Sequence, residues 1–183
     1  MSQVSNISAG PIFKTVGEAE CYGFSFIVLP GIWSEGDGAE RFALFVSRAL
    51  QNKKVSYLDV LRGLEDCVNR DSNANSTSIR ALSQHVLGLI SRYPDRGITR
   101  NRVIVFAHSH GAFITKRALV GLQQHKQFIE VYPFGGADII PRNLGSVVKN
   151  FVNSTDLVAC VGELIVNRDG PRDAPSYFKM LMP

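Results

Sequence analysis

The runs FSFIVL (residues 24–29) and VIVFA (103–107) are apolar at nearly every position, where a half-buried strand would alternate. Strands of that kind are covered on both faces, which points to a sheet sandwiched between helices. The segments around them fit. Residues 38–51 place Phe42, Val46, Ala49 and Leu50 on one helical face. Residues 78–93 do the same with Ile79, Leu82, Val86, Leu89 and Ile90, and Pro94 closes the pattern. Residues 112–124 offer Thr115, Ala118, Leu119 and Leu122 for packing. Further strands are expected at 55–60, at 128–134 (stopped by Gly135-Gly136) and at 147–152. Residues 65–77, which contain DSNANST, read as a surface loop or flap. Strand alternating with helix predicts an α/β fold, a three-layer sandwich about a mainly parallel sheet.

A chain of 183 residues suffices for one domain, here with residues 1–20 and 161–183 as tails. The formal charge of +4 is spread along the sequence without a basic run, which argues against a nucleic-acid surface. Cys21, Cys67 and Cys160 are odd in number and widely spaced, matching neither a disulfide framework nor a metal cluster. The four histidines are not at ligand spacing with Cys, Asp or Glu, and no glycine-rich phosphate loop stands out, so neither metal nor cofactor is expected. No stretch reaches the length of a membrane span, and the first residues lack a basic-then-apolar leader. The expectation is a cytoplasmic protein, or one exported without a classical signal peptide.

The chemistry concentrates at VIVFAHSHG, residues 103–111. A serine hydroxyl attacks a carbonyl only when lifted clear of the sheet, beside a base and facing hydrogen-bond donors. A sharp strand–serine–helix turn does this, with small residues two before and two after the serine. Ala107 and Gly111 occupy those positions around Ser109. The backbone N–H of His110 would be one oxyanion donor at the start of the helix. The competing reading is a serine that merely caps that helix.

On these residues the sequence resembles the α/β-hydrolase superfamily, in its lipase- and esterase-like branch, over about residues 24–160. FIVLPGIW is similar to the early strand and turn that supply the second oxyanion donor, which the resemblance assigns to the N–H of Ile32. Gly31 and Trp33 lie beside it as pocket residues with His108 and Gly111, and Pro30 stands where the family more often has histidine. SYLDVLRG resembles the next strand and loop. VYPFGGADIIP followed by VVKNFVNSTDLV is similar to the segment in which an aspartate orients the catalytic histidine. The resemblance assigns that role to Asp156, with Asp138 as the alternative acid. A looser likeness runs to α/β-hydrolase-like proteins of chlamydiae and their relatives.

Chain order in such enzymes is serine, acid, histidine, and no histidine follows Asp156. His125 stands 16 residues past Ser109, about 24 Å along a continuous helix. His85 falls at a polar position of its helical stripe, where a solvated side chain is expected. His110 is expected near the pocket mouth and His108 packed beneath the turn. Three explanations remain open: a chain lacking the last strand and helix, a catalytically incomplete domain, or a substitute base such as His110 or a partner's histidine. Two functions follow. One is a serine hydrolase of small-molecule acyl esters, its acyl chain beneath residues 65–77. The other is an α/β-hydrolase-like module that binds a ligand or protein. A sheet ending early would also leave an edge strand open to pairing with a second copy.

Overall fold

The structure, a computed structural model, describes residues 12–31, 37–59, 73–92, 100–136 and 138–152. Within them β1 (Ile12–Val16), β2 (Phe24–Leu29), α1 (Gly38–Ala49), β3 (Val55–Asp59), α2 (Asn73–Ile90), β4 (Arg102–His108), α3 (His110–Gly121), β5 (Ile129–Phe134) and β6 (Val147–Val148) follow one another. A 3-10 segment (Gln123–Phe128) links α3 to β5. The strands form one sheet in the order β1-β3-β2-β4-β5-β6. All neighbours run parallel except β1, which lies antiparallel on β3 from Ile12↔Asp59 to Val16↔Val55.

The apolar runs behave as their composition demands. In β2, Ile27 and Leu29 join one core with Val103, Val105 and Ala107 of β4, Ile129 and Val131 of β5, and the buried stripes of α2 and α3. The intervening Phe26 and Val28 join a second core with Val55, Tyr57 and α1. Both faces of β2 are therefore covered, which explains why its sequence does not alternate. Leu82, Val86, Leu89 and Ile90 of α2 and Thr115, Ala118, Leu119 and Leu122 at α3 are all buried, as their spacing predicts.

Topology fixes where a site can form. From β2 the chain passes through α1 to β3 on one side of β2. From β4 it passes through α3 to β5 on the other side. Right-handed crossovers in opposite directions require their helices on opposite faces, and α1 and α3 do belong to the two separate cores. The direction reverses between β2 and β4. The carboxyl ends of these two strands form the crevice where α/β sheets place ligands.

Several expectations need correction. β1 falls within the expected N-terminal tail, yet it is a sheet strand. Residues 73–77, expected as loop, are the first turns of α2, while 65–72 lie outside the described residues. The final strand is two residues long, with an isolated bridge from Phe134 to Phe151. Backbone pairing with β5 nevertheless continues past it: the N–H groups of Lys149 and Phe151 donate to the carbonyls of Val131 (3.0 Å) and Pro133 (2.8 Å). Between them the carboxamide of Asn150 accepts from the N–H of Ile140 and donates to that residue's carbonyl, each at 3.0 Å.

One buried polar residue ties the two ends of the α2–β4 connection. Asn101, fully buried, donates through Nδ2 to Ser25 Oγ (2.6 Å) and to the carbonyl of Leu89 (3.0 Å), while its own N–H reaches Ile90 (2.8 Å). Asn101→Ala leaves the Leu89 carbonyl and the Ser25 hydroxyl without this donor inside the core. We expect a loss of about 1–3 kcal/mol, read as a lower urea midpoint with unchanged slope.

Candidate functional site

β4 ends at His108, and α3 begins at His110, so the whole turn between them is Ser109. Its backbone sits at φ 50, ψ −118. This lies close to the first central position of a type II′ turn, a conformation normally given to glycine. For a residue with a side chain it costs about 1–3 kcal/mol and persists only when its surroundings enforce it. The enforcing contacts are visible. The Ser109 N–H donates to the carbonyl of Phe134 on β5 at 3.2 Å, and its carbonyl accepts from the N–H of Ala112 at 3.0 Å.

Glycine is required next door for space. A Cβ on Gly111 would stand 2.5 Å from the carbonyl oxygen of Leu29 and 2.9 Å from its Cβ. The first turn of α3 therefore lies directly on the end of β2, which puts Ser109 at the switch point. Gly31, just past β2, approaches from the other side: a Cβ there would be 2.9 Å from both Ser109 Cβ and His108 Nδ1. Gly136, after β5, comes as near to Ala112, where an added Cβ would meet that residue's Cβ at 2.9 Å. Three close approaches around this turn thus each pass through a glycine: α3 on β2, the segment after β2 on Ser109, and the segment after β5 on Ala112.

The helix-cap reading of Ser109 does not hold. Its side chain makes no cap hydrogen bond to α3, and its positive φ is not the β-region backbone of an N-cap residue. The hydroxyl stands at the start of a helix, where the leading N–H groups have no intrahelical partner and the helix dipole favours negative charge. His110 contributes the first of those amides.

The side chains of the flanking histidines do not lie as expected. Strand parity directs His108 to the α1 face, where it is exposed and edge-on to Phe42 (6.3 Å, 73°), so it is not packed beneath the turn. His110 is buried, its ring stacked on Phe113 one turn further along α3 (5.4 Å, 17°). His85 is also not solvated. It is half-buried, with its ring on Phe13 of β1. Asp138 is nearly buried and accepts from Lys116 Nζ of α3 at 2.7 Å. Lys116 was not picked out in the sequence, because a single lysine in an amphipathic helix carries no sign of its partner. Ile32, Trp33 and Asp156 lie outside the described residues.

An open apolar groove of about 620 Å³ runs along β4 on the α1 side. Phe42, Phe45 and Val46 of α1, Phe106 and His108 of β4, and Phe134 of β5 line it. The sequence offered one signal for it. Phe45 lies off the helical face that packs on the sheet, and it is 70% exposed. Among the described residues, no group of three or more His, Cys, Asp and Glu is arranged to hold a metal ion. Nor is any helix there long and apolar enough to cross a membrane.

The sequence matches no family model and no curated protein sequence. Solved structures do match. The chain is similar to a cutinase-like protein from Cryptococcus sp., at 12% identity and TM-score 0.50, over 79% of this chain and 93% of that one. The fold is α/β-hydrolase-like. A further similarity is to dienelactone hydrolase from Anabaena variabilis, at 17% identity and TM-score 0.45, over 86% of this chain and 80% of that one.

Gly111→Val forces a branched side chain onto the Leu29 carbonyl. We expect destabilisation of about 1–3 kcal/mol or more, seen as a lower melting temperature. Unchanged melting would mean that α3 does not rest on β2.

Proposed function

We propose that the protein is a serine hydrolase of carboxylic esters, lipase- or esterase-like, with Ser109 as its nucleophile. The observation that carries this reading is the strained backbone of Ser109 at the switch point, with its hydroxyl not engaged in capping α3. In this reading Ser109 Oγ attacks the acyl carbonyl. The amide of His110, at the positive end of α3, stabilises the oxyanion, joined by that of Ile32. The approach of Gly31 to Ser109 supports a second donor from the segment after β2. Asp156 is the acid of the proposed triad, with Asp138 as the alternative. The substrate is a small acyl ester whose apolar group lies along the groove beside His108; of the segment 65–77 expected to cover it, residues 65–72 lie outside the described residues.

A second reading is a domain of this fold that binds without turnover. It is favoured by the stacking of His110 on Phe113, which engages the ring of the candidate base.

A fluorophosphonate probe separates the two. Labelling of the native chain that disappears in Ser109→Ala supports the hydrolase, and no labelling of folded protein supports the binding domain. His108→Gln and His110→Gln then report which ring accepts the serine proton, because only loss of the base slows labelling in a pH-dependent way. Ser109→Gly should abolish labelling yet raise stability by about 1 kcal/mol, since glycine adopts this backbone without strain. A destabilised glycine variant would contradict the strained turn.

The acid is tested separately. Asp156→Asn should remove most esterase activity and leave the melting temperature unchanged. Asp138→Asn should lower stability through the lost Lys116 pair and retain activity. The reverse pattern of activities would assign the acid to Asp138.

A further inference from the structure

His85 lies outside the serine site, and its surroundings suit only one protonation state. Its ring lies face to face on Phe13, with centroids 3.9 Å apart and planes 7° from parallel. Nε2 is buried with no hydrogen-bond partner among the described residues. The nearby charge on its own helix end is Arg92, whose guanidinium faces Glu20 Oε1 at 3.5 Å; the same Glu20 atom also receives Lys54 at 2.7 Å. On β1 the charged neighbour of Phe13 is Lys14, which points to the opposite face and pairs with Asp59 of β3 near Tyr57 and Glu40. Burial first, and Arg92 second, push the His85 imidazole down to about 4.

Phe13 belongs to an edge strand. Among the described residues β1 lies at the margin of the sheet and pairs only with β3, antiparallel, over five residues. On the α2 side its Phe13 packs at the border of the main core, against His85. We propose that His85 is an acid-sensitive clasp for β1: protonation of the imidazole breaks its stack on Phe13 and releases the strand from the edge of β3. The ring face of Phe13 does attract a cation. That attraction is weak beside the cost of a buried, charged N–H donor without an acceptor.

The sign of the effect follows from linkage. With β1 docked, the ring stays neutral down to about pH 4, whereas released it takes up a proton near 6.5. Docking is therefore strongest above about pH 6.5, weakens as pH falls through the interval to about 4, and changes no further below it. Between pH 7.5 and 5 the released population should rise about ten- to thirty-fold, the lower figure allowing for the partial exposure of the ring. Release would bare the backbone edge of β3.

Hydrogen exchange read by mass spectrometry on the full chain tests this, with rates corrected for the intrinsic pH dependence of exchange. The amides of residues 12–16 should exchange about ten- to thirty-fold faster at pH 5 than at pH 7.5, while those of β4 and α3 keep one protection level. In His85→Phe, which retains a stacked ring but cannot titrate, the pH dependence of β1 should vanish. Persistence of that dependence in His85→Phe, or its absence in the native chain, overturns the proposal. Should the phenylalanine variant fail to fold, an NMR titration of the native His85 ring decides. A midpoint below about 5 supports the clasp, and one near 6.5 overturns it.

Discussion

The contact on which the site depends is between a backbone and a backbone: the first turn of α3 resting on the carbonyl of Leu29. No side chain fits at Gly111, so the helix can approach β2 as closely as two main chains allow. That approach tips the start of α3 over the end of the neighbouring strand and forces the link from β4 into a single residue. Ser109 then has no freedom to choose its dihedrals. Its positive φ follows from packing, with the Phe134 and Ala112 hydrogen bonds holding it from either side. The aromatic and aliphatic cores matter here chiefly because they keep β2, β4 and α3 from separating to relieve that strain.

The same arrangement explains why the serine lies where the sheet changes direction. A helix that crossed over on the same face as α1 could not reach β2 from the α2 side. Opposite crossovers leave the ends of β2 and β4 side by side at the point where the sheet changes direction. Gly31 brings the segment after β2 against Ser109, and Gly136 brings the segment after β5 against Ala112 in the first turn of α3. The helix dipole, the close loops and the exposed strand ends are thus products of one topology.

The sequence displayed this scaffold well and the side-chain environment poorly, for identifiable reasons. β2 and β4 were legible because burial on both faces leaves an uninterrupted apolar run, and the stripes of α2 and α3 because helical spacing maps directly onto one core. β1 was not. IFKTV lies beside a polar N-terminal stretch, and its pairing partner β3 is about forty residues away. Missing that strand led directly to misplacing His85, since the face of α2 that meets Phe13 looks solvated when nothing is there to cover it. The rings of His108 and His110 were misplaced for a different reason. In the sequence they are twin neighbours of one serine, but the first obeys strand parity and the second helix packing, and the change of rule occurs between them. The start of α2 was hidden by its composition. Asn, Ser and Thr favour loops and helix beginnings alike.

A strained residue in a stable fold calls for an explanation, and the alternatives at Ser109 can be weighed physically. Glycine would take the same dihedrals without cost, so the turn does not need a serine to form. A capping role would give the hydroxyl a backbone partner on α3, and it has none. A buried structural hydroxyl would be enclosed, whereas Ser109 is half-exposed at the edge of the sheet. What serine adds over glycine at this position is only an oxygen, held beside a helix N-terminus on a residue that Gly31 approaches closely. Chemistry at that oxygen accounts for all three features at once, which is why the functional reading begins from the backbone of Ser109 and not from its histidine neighbours.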